Sequence, residues 1–152
     1  MKHKSTKVIT LGSTAFRQWG AKSHCKFIHG YNLKCKFYFS SKDNKLDDNN
    51  WIVDFGGLKE LKARLKDMFD HKFWICHLDP FRTEFENLHK EGVLDLRVSE
   101  EGISIELFAK KCLEQANIFL NQLNEKEGRE RYVLCYKTEV FEHEENSAIC
   151  NL

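Results

Sequence analysis

The stretch HGYNLKCKFYF, residues 29–39, alternates large apolar side chains with polar ones. A period of two places each set on its own side of a β strand, so this stretch predicts a long strand with one buried face. The other face carries Lys34, Lys36 and Tyr38 and is half polar. A face of this kind is either exposed to solvent or lines the inside of an oligomer.

The segments on either side of this strand carry weaker signals. Residues 7–19 are β-prone and predict a preceding strand, in which Gly12 allows a bulge. The hydrophilic residues 40–50 predict a surface loop. The apolar run WIVDF at residues 51–55 contains one aspartate, Asp54, which we interpret as structural, because the glycines and the helix start that follow offer backbone N–H groups to its carboxylate.

Two apolar stripes at helical spacing predict amphipathic helices over residues 58–69 and 104–124. Ser104 is a suitable N-cap for the second helix. The charged residues 125–131 form a linker, and the Tyr, Val and Thr content of residues 132–141 predicts the last strand.

The segment between the two helices, residues 70–103, is mixed in pattern. It allows a short helix over residues 81–89 and a short strand over residues 93–98. The resulting order favours an α+β fold, in which an antiparallel sheet of about four strands carries two helices on one face.

Composition narrows the class of protein. A chain of 152 residues suits a single domain over residues 1–152. A formal net charge of +1 provides no excess positive field for a nucleic-acid or anionic-membrane partner. The sequence contains no apolar stretch of membrane-spanning length and its first ten residues lack the apolar core of a secretion signal, so we expect a cytoplasmic protein without a membrane partner.

The six cysteines are scattered and include no C-x-x-C pair. In a reducing compartment such thiols stay free, and most are interpreted as small core residues. Cys25 lies beside His24 and four residues before His29, a cluster that by itself is a weak indication of chemistry.

Four elements occur in an order that is hard to obtain by chance. They are Cys25-x-x-x-His29-Gly30, the string WIVDF-x-x-LK over residues 51–59, Asp70-His71, and Val140-x-Glu142. Together they resemble the motifs of the 6-pyruvoyltetrahydropterin synthase and 6-carboxytetrahydropterin synthase family, and the resemblance covers roughly residues 8–150.

The resemblance implies a T-fold whose subunits join their sheets into a barrel, with active sites between neighbouring subunits. It implies a homo-oligomer, a trimer or a hexamer, and a lyase acting on 7,8-dihydroneopterin triphosphate, a pterin. Within the family we favour the 6-carboxytetrahydropterin branch, which leads to queuosine and deazaguanines. The family uses a zinc ion held by three histidines.

The residue roles follow position by position from the resemblance. Cys25 corresponds to the catalytic base, and Asp70 and His71 to the pair that activates it. Glu142 corresponds to the anchor of the pterin ring, and Glu106 lies in a partly matching motif at the start of the second helix and is a second substrate-binding candidate. His29 corresponds to a zinc ligand, and His24 is the candidate replacement for a second one.

The sequence departs from the family pattern at the zinc ligands. Tyr31 stands where the second histidine of His-Gly-His is expected, and no histidine follows Phe16 on the first strand. Either the metal site is rebuilt from His24, His29 and a third group such as His143 or His77, or the pocket is kept without the metal. The second case gives the alternative function, a metal-free T-fold module that binds a pterin-like or purine-like ligand without this turnover.

Overall fold

The alternating stretch forms a strand at the middle of a six-stranded sheet. The structure is a computed structural model that describes residues 1–128 and 132–152. Within these residues the strands are β1 (Ser5–Phe16), β2 (His29–Ser41), β3 (Lys72–Cys76), β4 (Leu96–Ser99), β5 (Val133–Phe141) and β6 (Ser147–Asn151). The helices are α1 (Lys59–Phe69), α2 (Arg82–Lys90) and α3 (Ile105–Lys126), and two 3₁₀ turns cover His24–Lys26 and Phe55–Leu58.

The strand order across the sheet is β4-β3-β1-β2-β5-β6. Neighbours from β1 to β6 are antiparallel, whereas β3 runs parallel to both β1 and β4. The α+β class is confirmed, but the prediction of about four antiparallel strands is wrong, since the described residues form six strands and the sheet is parallel at one edge. The two missed strands, β3 and β6, have only five residues each, too few for a period of two to stand out.

The two predicted helices, α1 and α3, lie on one face of the sheet, as expected, and a third helix, α2, lies on the other face. Trp74 of β3 packs against Phe69 of α1 and Phe108 of α3, with ring centroids 5.9 and 5.7 Å away. The preceding residue, Phe73, points to the other face and meets Phe85 of α2 at 4.9 Å. Because β3 is buried on both faces, its sequence is continuously apolar rather than alternating.

Strand β1 ends at Phe16, three residues earlier than predicted. The predicted bulge is confirmed, because the register with β2 shifts between Thr10 and Gly12 and Gly12 has a φ of 112°. The structural interpretation of Asp54 is also confirmed: its carboxylate accepts a hydrogen bond of 2.8 Å from the Gly56 amide and caps the 3₁₀ turn. Of the predicted charged linker, residues 129–131 lie outside the described residues.

Helix α3 begins as the sequence predicts. The Ser104 hydroxyl accepts a hydrogen bond of 3.1 Å from the Leu107 amide, which would otherwise lack a partner in the first turn. Farther along the helix, the Asn117 side chain holds Cys135 of β5 through both its backbone groups. The contacts of Asn117 fix the middle of α3 beside the sheet.

We expect Ser104→Ala to lower the free energy of unfolding by about 1 kcal/mol, the usual cost of losing an N-cap hydroxyl. Urea denaturation followed by circular dichroism measures the change. Ser104→Thr keeps the hydroxyl and serves as the control, and equal stability of the alanine variant and the wild type would contradict the capping role.

No helix within the described residues is both long enough and apolar enough to span a membrane.

Candidate active site

Cys25 lies in a short turn between β1 and β2. The Ser23 side chain caps this turn by accepting a hydrogen bond of 3.3 Å from the Cys25 amide. The Cys25 carbonyl accepts a hydrogen bond of 3.0 Å from the Gln18 amide, which ties the turn to the end of β1. The Cys25 side chain is half-buried, whereas its neighbour His24 is exposed.

His29 opens β2 and pairs with Phe16, the last residue of β1. Its Nδ1 lies 2.7 Å from the Phe27 carbonyl oxygen, so this nitrogen donates a proton and the ring orientation is fixed. The ring also packs against Phe16, with centroids 4.6 Å apart. Phe16 is 1% exposed and meets Phe108 of α3 on its other side, so the surroundings of His29 are mainly aromatic.

Tyr31 lies two residues farther along β2, on the same face as His29. Its ring is 5.9 Å from the His29 ring and 6.0 Å from the ring of His143, which follows β5. Burial raises the pKa of the Tyr31 phenol, and the nearby charges of Glu142 and Cys25 raise it further. The charge at Tyr31 is therefore influenced both by Cys25, six residues earlier, and by Glu142, at the distant end of β5.

A cavity of about 480 Å³ opens beside this group, between the ends of β1, α3 and β6. Both predicted substrate-binding glutamates line it, Glu106 from the first turn of α3 and Glu142 from the end of β5. The remaining polar lining includes Gln18, whose amide nitrogen donates to the Ile103 carbonyl at 3.0 Å. With Glu145, three carboxylates line one cavity of this size, and they favour a small ligand that presents N–H donors.

Asp70 and His71 form a pair at the end of α1. His71 Nδ1 lies 3.0 Å from Asp70 Oδ1, and the same oxygen accepts a hydrogen bond of 3.0 Å from the Ser13 amide of β1. His71 has a φ of 59°, and its own amide donates to the Ser13 carbonyl at 2.7 Å. The His71 side chain is 83% exposed, so the imidazole is held by Asp70 and open to a partner.

Within one chain the predicted catalytic residues fall into two groups. Cys25 lies in the turn that leads into β2, the strand that pairs with β5. Asp70 and His71 contact Ser13, on the opposite side of β1 from its partner β2. None of the described contacts joins the two groups.

The predicted zinc ligands do not form a three-donor site. In the described part of the chain, no three His, Cys, Asp or Glu side chains are placed to hold a metal ion together. His77, one candidate for the third ligand, lies at the end of β3 against the Ser99 carbonyl and Glu100. Catalytic zinc usually has three protein ligands, and here His29 has Phe16 and Tyr31 beside it, so the residues present do not fit a three-histidine zinc site.

Comparison with known proteins identifies the family. A family model described as 6-pyruvoyl tetrahydropterin synthase matches residues 12–151. The chain belongs to this family. The resemblance found in the sequence is therefore confirmed, and the six-stranded sheet with its helices is a T-fold. No curated protein matches the chain.

Several solved structures share this fold over the whole chain. An uncharacterized protein from Wolinella succinogenes has a TM-score of 0.77 at 16% identity, with 98% of this chain and 97% of that chain covered. The 6-pyruvoyltetrahydropterin synthase of Plasmodium vivax has a TM-score of 0.62 at 14% identity, covering 99% and 100%. The enzyme of Caenorhabditis elegans has a TM-score of 0.61 at 17% identity, covering 99% and 95%.

The sequence alone indicates no role for Tyr31, which stands where the family pattern has a histidine. The structure places its ring beside those of Phe16, His29 and His143. One signal was available: in a strand of period two, residues 29 and 31 share a face, so Tyr31 has to lie wherever His29 lies.

Titration of Asp70 provides a test of its hydrogen bond. The Ser13 amide holds the pKa of the Asp70 carboxyl below its ordinary value; burial opposes this effect, and His71 and Lys66 add to it. A carboxyl whose pKa is lower in the folded state stabilises the fold above its unfolded pKa of about 3.9, and the contribution disappears as the pH falls through the folded pKa.

We therefore expect the wild type to exceed Asp70→Asn in urea midpoint at about pH 6, and the difference to vanish near about pH 2. Asp67→Asn, on the same helix, is the control for a change of net charge. A difference that stays constant across this range would contradict the lowered pKa.

Proposed function

We propose that this protein is a tetrahydropterin synthase-like lyase acting on 7,8-dihydroneopterin triphosphate, of the 6-carboxytetrahydropterin type that serves the queuosine and deazaguanine route. The observation that carries the proposal is the cavity, which has Glu106 and Glu142 on its wall and Phe16, the ring partner of Tyr31, beside them. A pterin ring presents adjacent N–H donors that suit a carboxylate. The half-buried thiol of Cys25, in the turn that leads into β2, suits a base acting on the substituent of the ring.

The chemical step is an elimination. The Cys25 thiolate removes a proton from a carbon of the substrate side chain. The electron pair of that C–H bond forms a carbon–carbon double bond, and the C–O bond to the triphosphate breaks. The triphosphate leaves with the bonding electrons, and His71, paired with Asp70, accepts the proton from Cys25 and keeps the thiol reactive.

This mechanism needs Asp70 and His71 of one copy to reach Cys25 of another. Two open strand edges support such an assembly. Among residues 1–128 and 132–152, β1 pairs with β3 only at Thr14–Phe16, which leaves its earlier residues with an open edge, and β6 pairs only with β5. The exposed apolar side chains of Val8 on β1 and Ile149 on β6 lie on these edges.

Unpaired edges with exposed apolar side chains are sites of association. Joining β6 of one copy to β1 of the next closes a ring, as a trimer or as a hexamer of two trimers. The ring brings the Asp70–His71 pair on the β1 side towards the cavity beside β6.

The test is release of triphosphate from 7,8-dihydroneopterin triphosphate. We expect turnover by the wild type and a KM raised about 10- to 100-fold in Glu142→Gln, because a hydrogen bond to a charged acceptor is lost. Glu144→Gln changes a neighbouring carboxylate that does not line the cavity and is the matched control. Absence of turnover by the wild type, or an unchanged KM in Glu142→Gln, would contradict the proposal.

The incomplete set of metal donors favours one alternative, a metal-free T-fold module that binds a pterin-like or purine-like ligand. The two functions differ in one result. The module would bind 7,8-dihydroneopterin through Glu142 and release no triphosphate from its triphosphate ester.

A further inference from the structure

Tyr31 stands where the family pattern has a zinc-binding histidine, and its surroundings indicate a different function for this position. Its ring belongs to an aromatic group with Phe16 and His29, with centroids 6.1 and 5.9 Å from its own. Phe16 fills the space next to His29 with carbon atoms rather than donor atoms. The hydrogen-bond donor that this group can offer to a polar ligand is the Tyr31 hydroxyl, because the Nδ1 proton of His29 is donated to the Phe27 carbonyl.

The Tyr31 hydroxyl is available for such a contact. The side chain is half-buried, and within the described residues no backbone or side-chain group forms a hydrogen bond with this hydroxyl. A phenol has an ordinary pKa of about 10, so it carries its proton at neutral pH and can donate it. Half-buried hydrogen-bond donors of this kind interact more strongly with a ligand than donors in open water do.

The arrangement of the cavity defines which part of a ligand Tyr31 meets. If Glu106 and Glu142 hold the ring, then the proton that Cys25 removes belongs to the ring substituent. The Tyr31 ring lies 6.1 Å from the ring of Phe16, which lines the cavity, and 6.0 Å from the ring of His143, the residue after Glu142. Tyr31 therefore lies beside the cavity without being part of its lining, so it is placed to meet the part of a ligand that extends beyond the ring.

We propose that the Tyr31 hydroxyl donates a hydrogen bond to an oxygen of the hydroxylated side chain of the pterin and so selects ligands that carry this side chain. This inference rests on the proposed function. It makes Tyr31 a specificity-determining residue. It also assigns the contact with a substrate oxygen to a protein side chain rather than to a metal, because His29 alone does not form a complete metal site.

The test compares two ligands with the same ring. One is 7,8-dihydroneopterin, which carries the hydroxylated side chain, and the other is 6-methyl-7,8-dihydropterin, which has no hydroxyl group. Binding of each to the wild type, Tyr31→Phe and Glu142→Gln is measured by fluorescence titration. We expect Tyr31→Phe to weaken the binding of 7,8-dihydroneopterin about five- to tenfold, the effect of one lost hydrogen bond. The binding of the methyl compound should stay unchanged.

The outcomes separate the two proposals. Equal weakening of both ligands by Tyr31→Phe, or no weakening of either, would overturn the role of Tyr31 while leaving the ring site intact. Glu142→Gln is expected to weaken both ligands. If the wild type binds neither ligand, the proposed function fails and the role of Tyr31 fails with it.

Metal analysis gives an independent readout. After dialysis against zinc and then against buffer, we expect well under stoichiometric zinc in the wild type, and the preference for 7,8-dihydroneopterin should survive treatment with EDTA. Stoichiometric zinc, together with loss of that preference in EDTA, would show that a metal makes the contact assigned to Tyr31 and would overturn the inference.

Discussion

Cys25→Ala is expected to abolish triphosphate release while the protein stays folded. A general base contributes about 10²- to 10⁴-fold to a rate, and alanine cannot take its place. The fold should tolerate the change, because the Cys25 side chain is half-buried in a turn held by backbone and Ser23 contacts. Single-turnover release of triphosphate measures the effect, and circular dichroism monitors the fold.

The matched control is Cys76→Ala, which removes another half-buried thiol from the end of β3. Activity near that of the wild type is expected for this variant. If Cys25→Ala turned over substrate as fast as the wild type, Cys25 would not be the base, even if the pterin site were correct.

Gly30→Ala is expected to destabilise the protein by about 3 kcal/mol, at the upper end of the range for single substitutions. A Cβ at this position would lie 2.2 Å from the Thr14 carbonyl oxygen, a backbone atom of the paired strand that cannot turn aside. The clash would separate β1 from β2 beside both His29 and Tyr31, so binding should suffer as well as stability.

Gly20→Ala is the control for this substitution, because a Cβ at Gly20 meets nothing within 4 Å. Urea denaturation of both variants provides the comparison. If the two variants were equally stable, β1 and β2 would have to lie farther apart at Gly30 than they do in the structure. The close approach also explains why the residue between His29 and Tyr31 is a glycine.

The sequence predicts the elements that are long and regular. Strand β2 and helix α3 combine a clear period with, for α3, a capping serine, and both lie where the pattern places them. Strand β3 could not be found this way, since Phe73, Trp74 and Ile75 are all buried and leave no alternation to detect. The position of α2 on the opposite face depends on Phe73 and Phe85 meeting across the sheet, which is a tertiary contact.

The candidate site was partly predictable for similar reasons. The motifs identify Cys25, Asp70, His71 and Glu142, and the capping pattern of α3 places Glu106 near its start. The approach of Tyr31 to the segment that carries Glu142 depends on β2 pairing with β5, which brings the Tyr31 and His143 rings to 6.0 Å. The separation of Asp70 and His71 from these residues depends on sheet order, which a motif does not encode.

The central claim is that one active site combines Cys25 of one copy with Asp70 and His71 of the next. The most direct measurement mixes two inactive variants, Cys25→Ala and His71→Ala, by coexpression with different tags and purification of the mixed oligomer. A site shared between copies restores one intact Cys25–His71 combination, so we predict triphosphate release well above that of either variant alone. A mixed oligomer as inactive as its parents would contradict a site built across the interface.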